Sequence, residues 1–260
     1  MSKIKKQKKI LIRKKANKTF FSIVTVVKNA EKDILQTIRS LKEQTFKNFE
    51  YLIIDGKSTD DTIKNIMKSK KYINLLISEK DKGIYYAMNK ALKFVNGKVI
   101  VFINAGDIFV KNGLLIIHKK FKKNPSADFV FGTVKRHYVE STILKYGFNK
   151  QRLKYNFDFA TAHSTGFFIK KRAMNLIGKY NTIFKCSADY DLYYRALIKF
   201  NLKGDSTKKN ELVGIFKSGG FSSKISFFNQ LLEETKIRLH NKQNIFFVGM
   251  IFVNAIIKYF

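Results

Sequence analysis

The sequence predicts an α/β fold in which a mostly parallel central sheet is flanked by helices. Three observations carry this. Strand-like and helix-like patterns alternate strictly up to about residue 123, the order that builds parallel sheets covered by helices. The strand segments are continuous apolar runs, as expected of strands buried on both faces. Each run also stops at polar or small residues, and in such sheets ligands sit outside the carboxyl ends of the strands.

The elements follow in order. FFSIVTVVKN, residues 20–29, reads as a buried first strand ending at Lys28-Asn29. In the segment after it, Ile34, Leu35, Ile38 and Leu41 recur at helical spacing. FEYLIIDGKSTDDT is a second strand closing on Asp55-Gly56, followed by a Ser/Thr/Asp cluster suited to capping the helix TIKNIMKSK. INLLISEKDKG is a third, short strand running into a polar turn over Glu79 to Gly83, and IYYAMNKALKFVNG is a helix closed by Gly97. KVIVFINAGD is the fourth strand, and NGLLIIHKKFKKN a further helix.

The second half is less regular. ADFVFGTVKRHYV reads as one strand, TAHSTGFFIKKRAMNLIG as a strand and a short helix, and CSADYDLYYRALIKF as a helix with a polar start. ELVGIFKSGGFSS reads as a strand turning at Gly219-Gly220, and KISFFNQLLEETKIRLHNK as a long amphipathic helix. The expected organisation is a basic arm over 1–18, one catalytic-type domain over 19–243 and an apolar helix over 244–260.

Charge is the outlying property. The chain carries 51 Lys+Arg against 19 Asp+Glu, a formal +32, which suits polyanionic partners: nucleic acid, anionic lipid headgroups or phosphate-bearing substrates. The excess is densest in MSKIKKQKKILIRKKANK, whose apolar core is too short for a signal peptide. This segment reads as a mobile or surface-bound arm, or as an unspecific solvated tail. NIFFVGMIFVNAIIKYF, at the other end, is short of the ~20 apolar residues of a spanning helix. It reads as a helix lying on a membrane, packing on a partner, or completing the core. The single Cys186 excludes an internal disulfide framework and fits a reducing compartment.

The candidate chemistry lies at the strand ends. Neither a Rossmann glycine fingerprint nor a Walker loop is present, and one cysteine with four scattered histidines gives no zinc spacing. Asp55 and Asp107, taken singly, read more readily as helix caps or turn formers than as functional groups. His163 reads equally as a core histidine or a site residue. In the helix holding Asp189 and Asp191, residues two apart point about 200° away from each other, so only one of the two faces the cleft. Asp191 has Arg195 four positions on and so has a structural role at hand.

Taken together, FSIVTVVKN, QTFKNFEYLIIDGKSTDDT, SEKDKGIYYAMNKAL, VIVFINAGD and SADYDLYYRA, in this order, resemble family-two glycosyltransferases of the GT-A fold. The branch they are most similar to serves bacterial capsule, colanic-acid and other surface polysaccharides. The resemblance spans residues 19 to 223. It implies a nucleotide-sugar-contacting segment at Thr25, a base- or ribose-binding Asp55, and a nucleotide pocket lined by Asp81, Lys82 and Gly83. It further implies a metal motif over Asn104 to Asp107 with Asp107 as metal ligand, Asp189 as catalytic base, and His163 near the acceptor. Two positions depart from the family pattern: Asn104 replaces the first acid of the metal motif, and Ala188 the acid that usually precedes the base.

Such an enzyme is an inverting nucleotide-sugar-dependent glycosyltransferase that acts on a surface-polysaccharide or lipid-linked glycan acceptor. Its cofactor would be a divalent cation, Mg2+ or Mn2+, neutralising the donor's diphosphate. The expected location is cytoplasmic, peripheral at the inner face of the cell membrane, against an anionic surface and without a specific nucleic acid partner. Two rivals remain. One is a basic nucleic-acid-binding protein, although no recognised motif supports it. The other is an inactive glycosyltransferase-like scaffold, suggested by Asn104.

Overall fold

The computed structural model describes residues 10–14, 18–137, 141–155, 164–217 and 225–259. In chain order the elements are β1 (Ile10–Arg13), β2 (Phe21–Val27), α1 (Ile34–Lys42), β3 (Phe49–Asp55), α2 (Thr62–Met67), β4 (Leu75–Ser78), α3 (Ile84–Ala91), β5 (Val99–Phe102), β6 (Ile108–Phe109) and α4 (Gly113–Lys123). They continue with β7 (Phe129–Phe131), β8 (Thr133–His137), β9 (Thr142–Lys145), α5 (Lys150–Tyr155), β10 (Phe167–Lys170), α6 (Lys171–Ile177), α7 (Ala188–Tyr194), β11 (Gly204–Ser206), β12 (Leu212–Lys217), α8 (Phe227–His240) and α9 (Ile245–Tyr259). A π-helical turn, Arg195–Lys199, extends α7.

The main sheet has the order β1-β4-β3-β2-β5-β10-β7-β11. Its centre, β4-β3-β2-β5, is wholly parallel, as the alternation requires. Apolar residues from both faces of these strands are buried. Ile23, Tyr51 and Ile53 face a core shared with Ile34 and Ile38 of α1 and Ile117 of α4. Val24, Val26, Leu52 and Ile54 face a second core shared with Met88 of α3, Met174 of α6 and Leu192 of α7. A continuous apolar run is therefore the correct pattern here. A smaller sheet, β6-β12-β8-β9, packs at one end.

Two expectations are corrected. Residues 10–13, assigned to a mobile or surface-bound basic arm, form an antiparallel edge strand on β4, with Ile10 opposite Ser78 and Arg13 opposite Leu75. Lys14 extends this attachment, its Nζ donating to the carbonyls of Lys70 and Lys71 at 2.8 and 3.0 Å. The single strand expected over 127–139 is two, β7 and β8, which leave Gly132 between them and belong to different sheets. A side chain at Gly132 would meet Val213 Cβ at 3.0 Å, so the chain crosses between sheets where only glycine fits without displacement.

Candidate active site

The register fixes which strand ends meet. Val27 pairs with Asp55, and Asp55 with Ser78, so β2, β3 and β4 end in one row. Phe102 pairs with Val24, which brings the Asn104–Asp107 turn to the same edge.

Asp55 organises that edge. Its carboxylate is fully enclosed and accepts from the Ser58 N–H at 3.0 Å and the Ser78 hydroxyl at 2.6 Å. The Ser58 hydroxyl in turn accepts from the Asn29 N–H at 2.8 Å, tying the loops after β2 and β3 together. Thr25, expected to contact nucleotide, does not reach the edge. It is fully buried within β2 and its hydroxyl accepts from the Tyr51 phenol at 3.0 Å, so its polar group is spent inside the core.

Asp81 is placed differently. One oxygen is paired with the Lys90 ammonium, which also holds Glu79 at 2.7 Å. The other, Oδ2, is buried without a hydrogen-bond partner among the described residues. A buried acceptor left unmade costs about 1–3 kcal/mol, and more when charged, so this oxygen is poised for an incoming N–H or O–H. Lys82 beside it is exposed, and Gly83 has φ +153°, a conformation side chains resist, at the start of α3.

The Asn104–Asp107 turn is held by α1. The Gly106 N–H donates to Thr37 Oγ1 at 2.9 Å, and that hydroxyl donates to the Asp107 carbonyl at 2.8 Å. Gly106 has φ +99°, which accounts for glycine at this tight point. Asn104 is half-buried, with its amide 3.4 Å from the Ser164 hydroxyl.

Asp107, the expected metal ligand, is locked into the turn. Its carboxylate is buried, 2% exposed, and both oxygens are engaged: Oδ2 accepts from the Thr165 hydroxyl at 2.7 Å and Oδ1 from the Lys217 N–H at 3.3 Å. Burial pushes its pKa up to about 7, against the lowering effect of those hydrogen bonds. Asp107 thus clamps the turn to β12 and to the short helix before β10. Among the described residues no three His, Cys, Asp or Glu side chains converge to hold an ion. The protein oxygens that this turn offers are those of the Asp107 carboxylate and the Asn104 side-chain amide.

Asp189 lies in the first turn of α7. Its Oδ1 accepts from the Tyr190 N–H at 2.9 Å and the Tyr85 hydroxyl at 3.3 Å. Tyr85 stacks on Tyr180, whose ring meets Phe102 at the end of β5 edge-on. In these aromatic surroundings desolvation raises the Asp189 pKa to about 6. α3 therefore links the Asp81 turn to the Asp189 helix, through Tyr85 and through Asn89, which holds both backbone polar groups of Tyr180 at 2.8 and 2.9 Å. Asp191 is 1% exposed and pairs with Arg195 at 2.8 Å, as the spacing implied. Glu233 on α8 had no sequence signal. Its carboxylate accepts from the N–H groups of Lys185, Cys186 and Ser187 at 2.6, 2.8 and 2.6 Å, setting the approach to α7. His163 lies outside the described residues.

Comparison with known proteins bears on this arrangement. The family model for Glycosyl transferase family 2 matches residues 22–197. The Escherichia coli UDP-Glc:alpha-D-GlcNAc-diphosphoundecaprenol beta-1,3-glucosyltransferase WfgD is 36% identical over 112 residues, 43% of this chain and 44% of the relative. The chain thus spans less than half the length of that relative. S. aureus TarS 1-349, in complex with UDP-GlcNAc, shares the fold at a TM-score of 0.68 and 17% identity, over 92% of this chain and 72% of that one. The mannosyltransferase PcManGT from Pyrobaculum calidifontis, in complex with GDP-Man and Mn2+, does so at 0.65 and 13% identity, over 92% and 69%. The α/β architecture expected from the sequence is met.

Proposed function

Because the chain belongs to glycosyl transferase family 2, we propose that it moves a sugar from a nucleotide-sugar donor to a surface-polysaccharide or lipid-linked glycan acceptor, with inversion at the anomeric carbon. The observation that carries this reading is the buried, unpartnered Oδ2 of Asp81 at the carboxyl edge of the sheet. A nucleobase imino N–H or a ribose hydroxyl satisfies it. The named substrates of the E. coli relative, a nucleotide sugar and a diphosphoundecaprenol-linked sugar, support the substrate classes.

In the proposed step the acceptor hydroxyl oxygen attacks the anomeric carbon. The bond from that carbon to the diphosphate oxygen breaks, and the nucleoside diphosphate leaves with the electron pair. Asp189 takes the proton of the acceptor hydroxyl. Tyr85 orients its carboxylate, and Glu233 positions the loop that precedes it. Charge on the departing diphosphate falls to cations at the same edge: Lys28 after β2, Lys82 after β4, and Lys217 at the end of β12, which already hydrogen-bonds Asp107 through its N–H. We assign a divalent cation to the same edge, where the Asp107 carboxylate and the Asn104 amide oxygen would hold it against the donor's diphosphate and it would share that charge. The family match gives no support to a nucleic-acid-binding reading. We place the reaction at the cytoplasmic face of the cell membrane, where lipid-linked acceptors present their glycans.

Calorimetric titration of UDP-, GDP- and dTDP-sugars, with Mn2+ and with EDTA, tests the donor side. One nucleotide class should bind, EDTA should weaken that binding, and Asp81→Asn should weaken it by about tenfold, the worth of one hydrogen bond to a charged group. Donor binding that is unchanged in EDTA, or unchanged in Asp81→Asn, contradicts these assignments.

A further inference from the structure

The last two helices carry an apolar surface that the proposed chemistry does not use. On α9, Phe246, Met250, Val253 and Ile257 are 82%, 61%, 54% and 69% exposed. Their spacing of four, three and four residues confines them to an arc of about 60° on a 3.6-residue helix. The opposite side is different in kind, since Val248 and Ile251 are 3% and 5% exposed where α9 packs on α8. α8 has its own exposed stripe, Phe228, Leu232 and Leu239. Contiguous apolar surface of this kind marks an interaction site.

Charge identifies the partner. A cavity of about 350 Å³ opens at the start of α9, lined by Lys154, Lys199 and Lys242 together with Tyr194, Asn244 and Phe247, and no acidic side chain lines it. From residue 241 to residue 259 the chain contains no Asp or Glu. A second copy, itself at a formal +32, would bring lysines against lysines. α9 has 15 residues and so rises about 22 Å, short of the ~30 Å of a bilayer core. No helix among the described residues is long and apolar enough to cross a membrane.

We propose that the α8–α9 face docks on an anionic bilayer, with the α9 stripe lying in the interface and the lysine-lined cavity receiving a lipid phosphate. Apolar burial supplies the adhesion and the lysines select negatively charged headgroups. This extends the placement at a membrane given above, and it is tested without donor or acceptor so that the two readings fail separately.

The full chain is sedimented with vesicles of phosphatidylcholine alone and of phosphatidylcholine with phosphatidylglycerol. It should bind the second far more tightly and be released in part by salt. Phe246→Ser with Met250→Ser, both at exposed positions, should weaken binding roughly 10–100-fold through lost apolar burial. Lys154→Glu with Lys199→Glu should weaken it at least about tenfold at low salt. Unaltered thermal midpoints and donor titrations show that the variants are folded. Equal sedimentation of the wild type with both vesicle types, or of the serine variant with the wild type, overturns the proposal. So does a wild type that dimerises in solution through this face and fails to bind vesicles.

Discussion

Asp189→Asn is expected to lower turnover about 10²–10⁴-fold, the usual worth of a positioned base, while leaving donor affinity nearly intact. The carboxylate sits in the first turn of α7 within reach of the Tyr85 hydroxyl, and burial holds its pKa near 6. A base acts when deprotonated. The wild-type kcat/KM should therefore be full above pH 6 and fall as pH drops through that value, because protonation removes the acceptor of the hydroxyl proton. Asparagine keeps the shape and cannot take the proton at any pH. Single-turnover rates with saturating donor, measured across pH for both proteins, separate this from a binding defect. Near-normal turnover in Asp189→Asn, or a wild-type profile flat through pH 6, contradicts the assignment.

Asp191→Asn should act on stability instead, by about 3–5 kcal/mol, the cost of breaking a buried ion pair from one side. Asp191 is buried, accepts from the Asn241 amide at 2.9 Å and pairs with Arg195. Arg195 also donates to the carbonyls of Ile177 and Lys179, so it cannot swing out to water without releasing the loop before α7. Removing the carboxylate strands that guanidinium with neutral partners. Denaturant midpoints measure the loss. Turnover per folded molecule at low temperature should change far less than in Asp189→Asn. A variant as stable as the wild type but inactive would exchange the roles of the two aspartates and require a different rotation of α7.

What was legible in the sequence was whatever local pattern could report. The apolar runs ending at Asp55 and at Asn104 located the row of strand ends, because parallel strands buried on both faces leave little choice of register. The four-residue spacing of Asp191 and Arg195 gave an ion pair that the structure forms. The burial of Thr25 was illegible because a strand buried on both faces offers no alternation to tell which side each hydroxyl takes, and the Tyr51 phenol on the neighbouring strand donates to this one. The surroundings of Asp107 were illegible for a different reason. Its partners, Thr165 and Lys217, lie 58 and 110 residues away, and no spacing rule connects them. Glu233 was invisible on the same ground: its three backbone donors stand 46 to 48 residues upstream. The basic start of the chain hid a four-residue strand whose partner is the exposed edge of β4.

The central claim is sugar transfer with inversion at this sheet edge. It is tested most directly by proton and phosphorus NMR on one reaction: the full chain, the donor selected by titration, and a lipid-linked glycan acceptor, followed for released nucleoside diphosphate and for the anomeric configuration of the new glycoside. The account predicts nucleoside diphosphate appearing in step with a glycoside of the anomeric configuration opposite to the donor's, and neither appearing at a comparable rate with Asp189→Asn. A product that retains the donor's configuration, or diphosphate released with no glycoside formed from any bound donor, would contradict it.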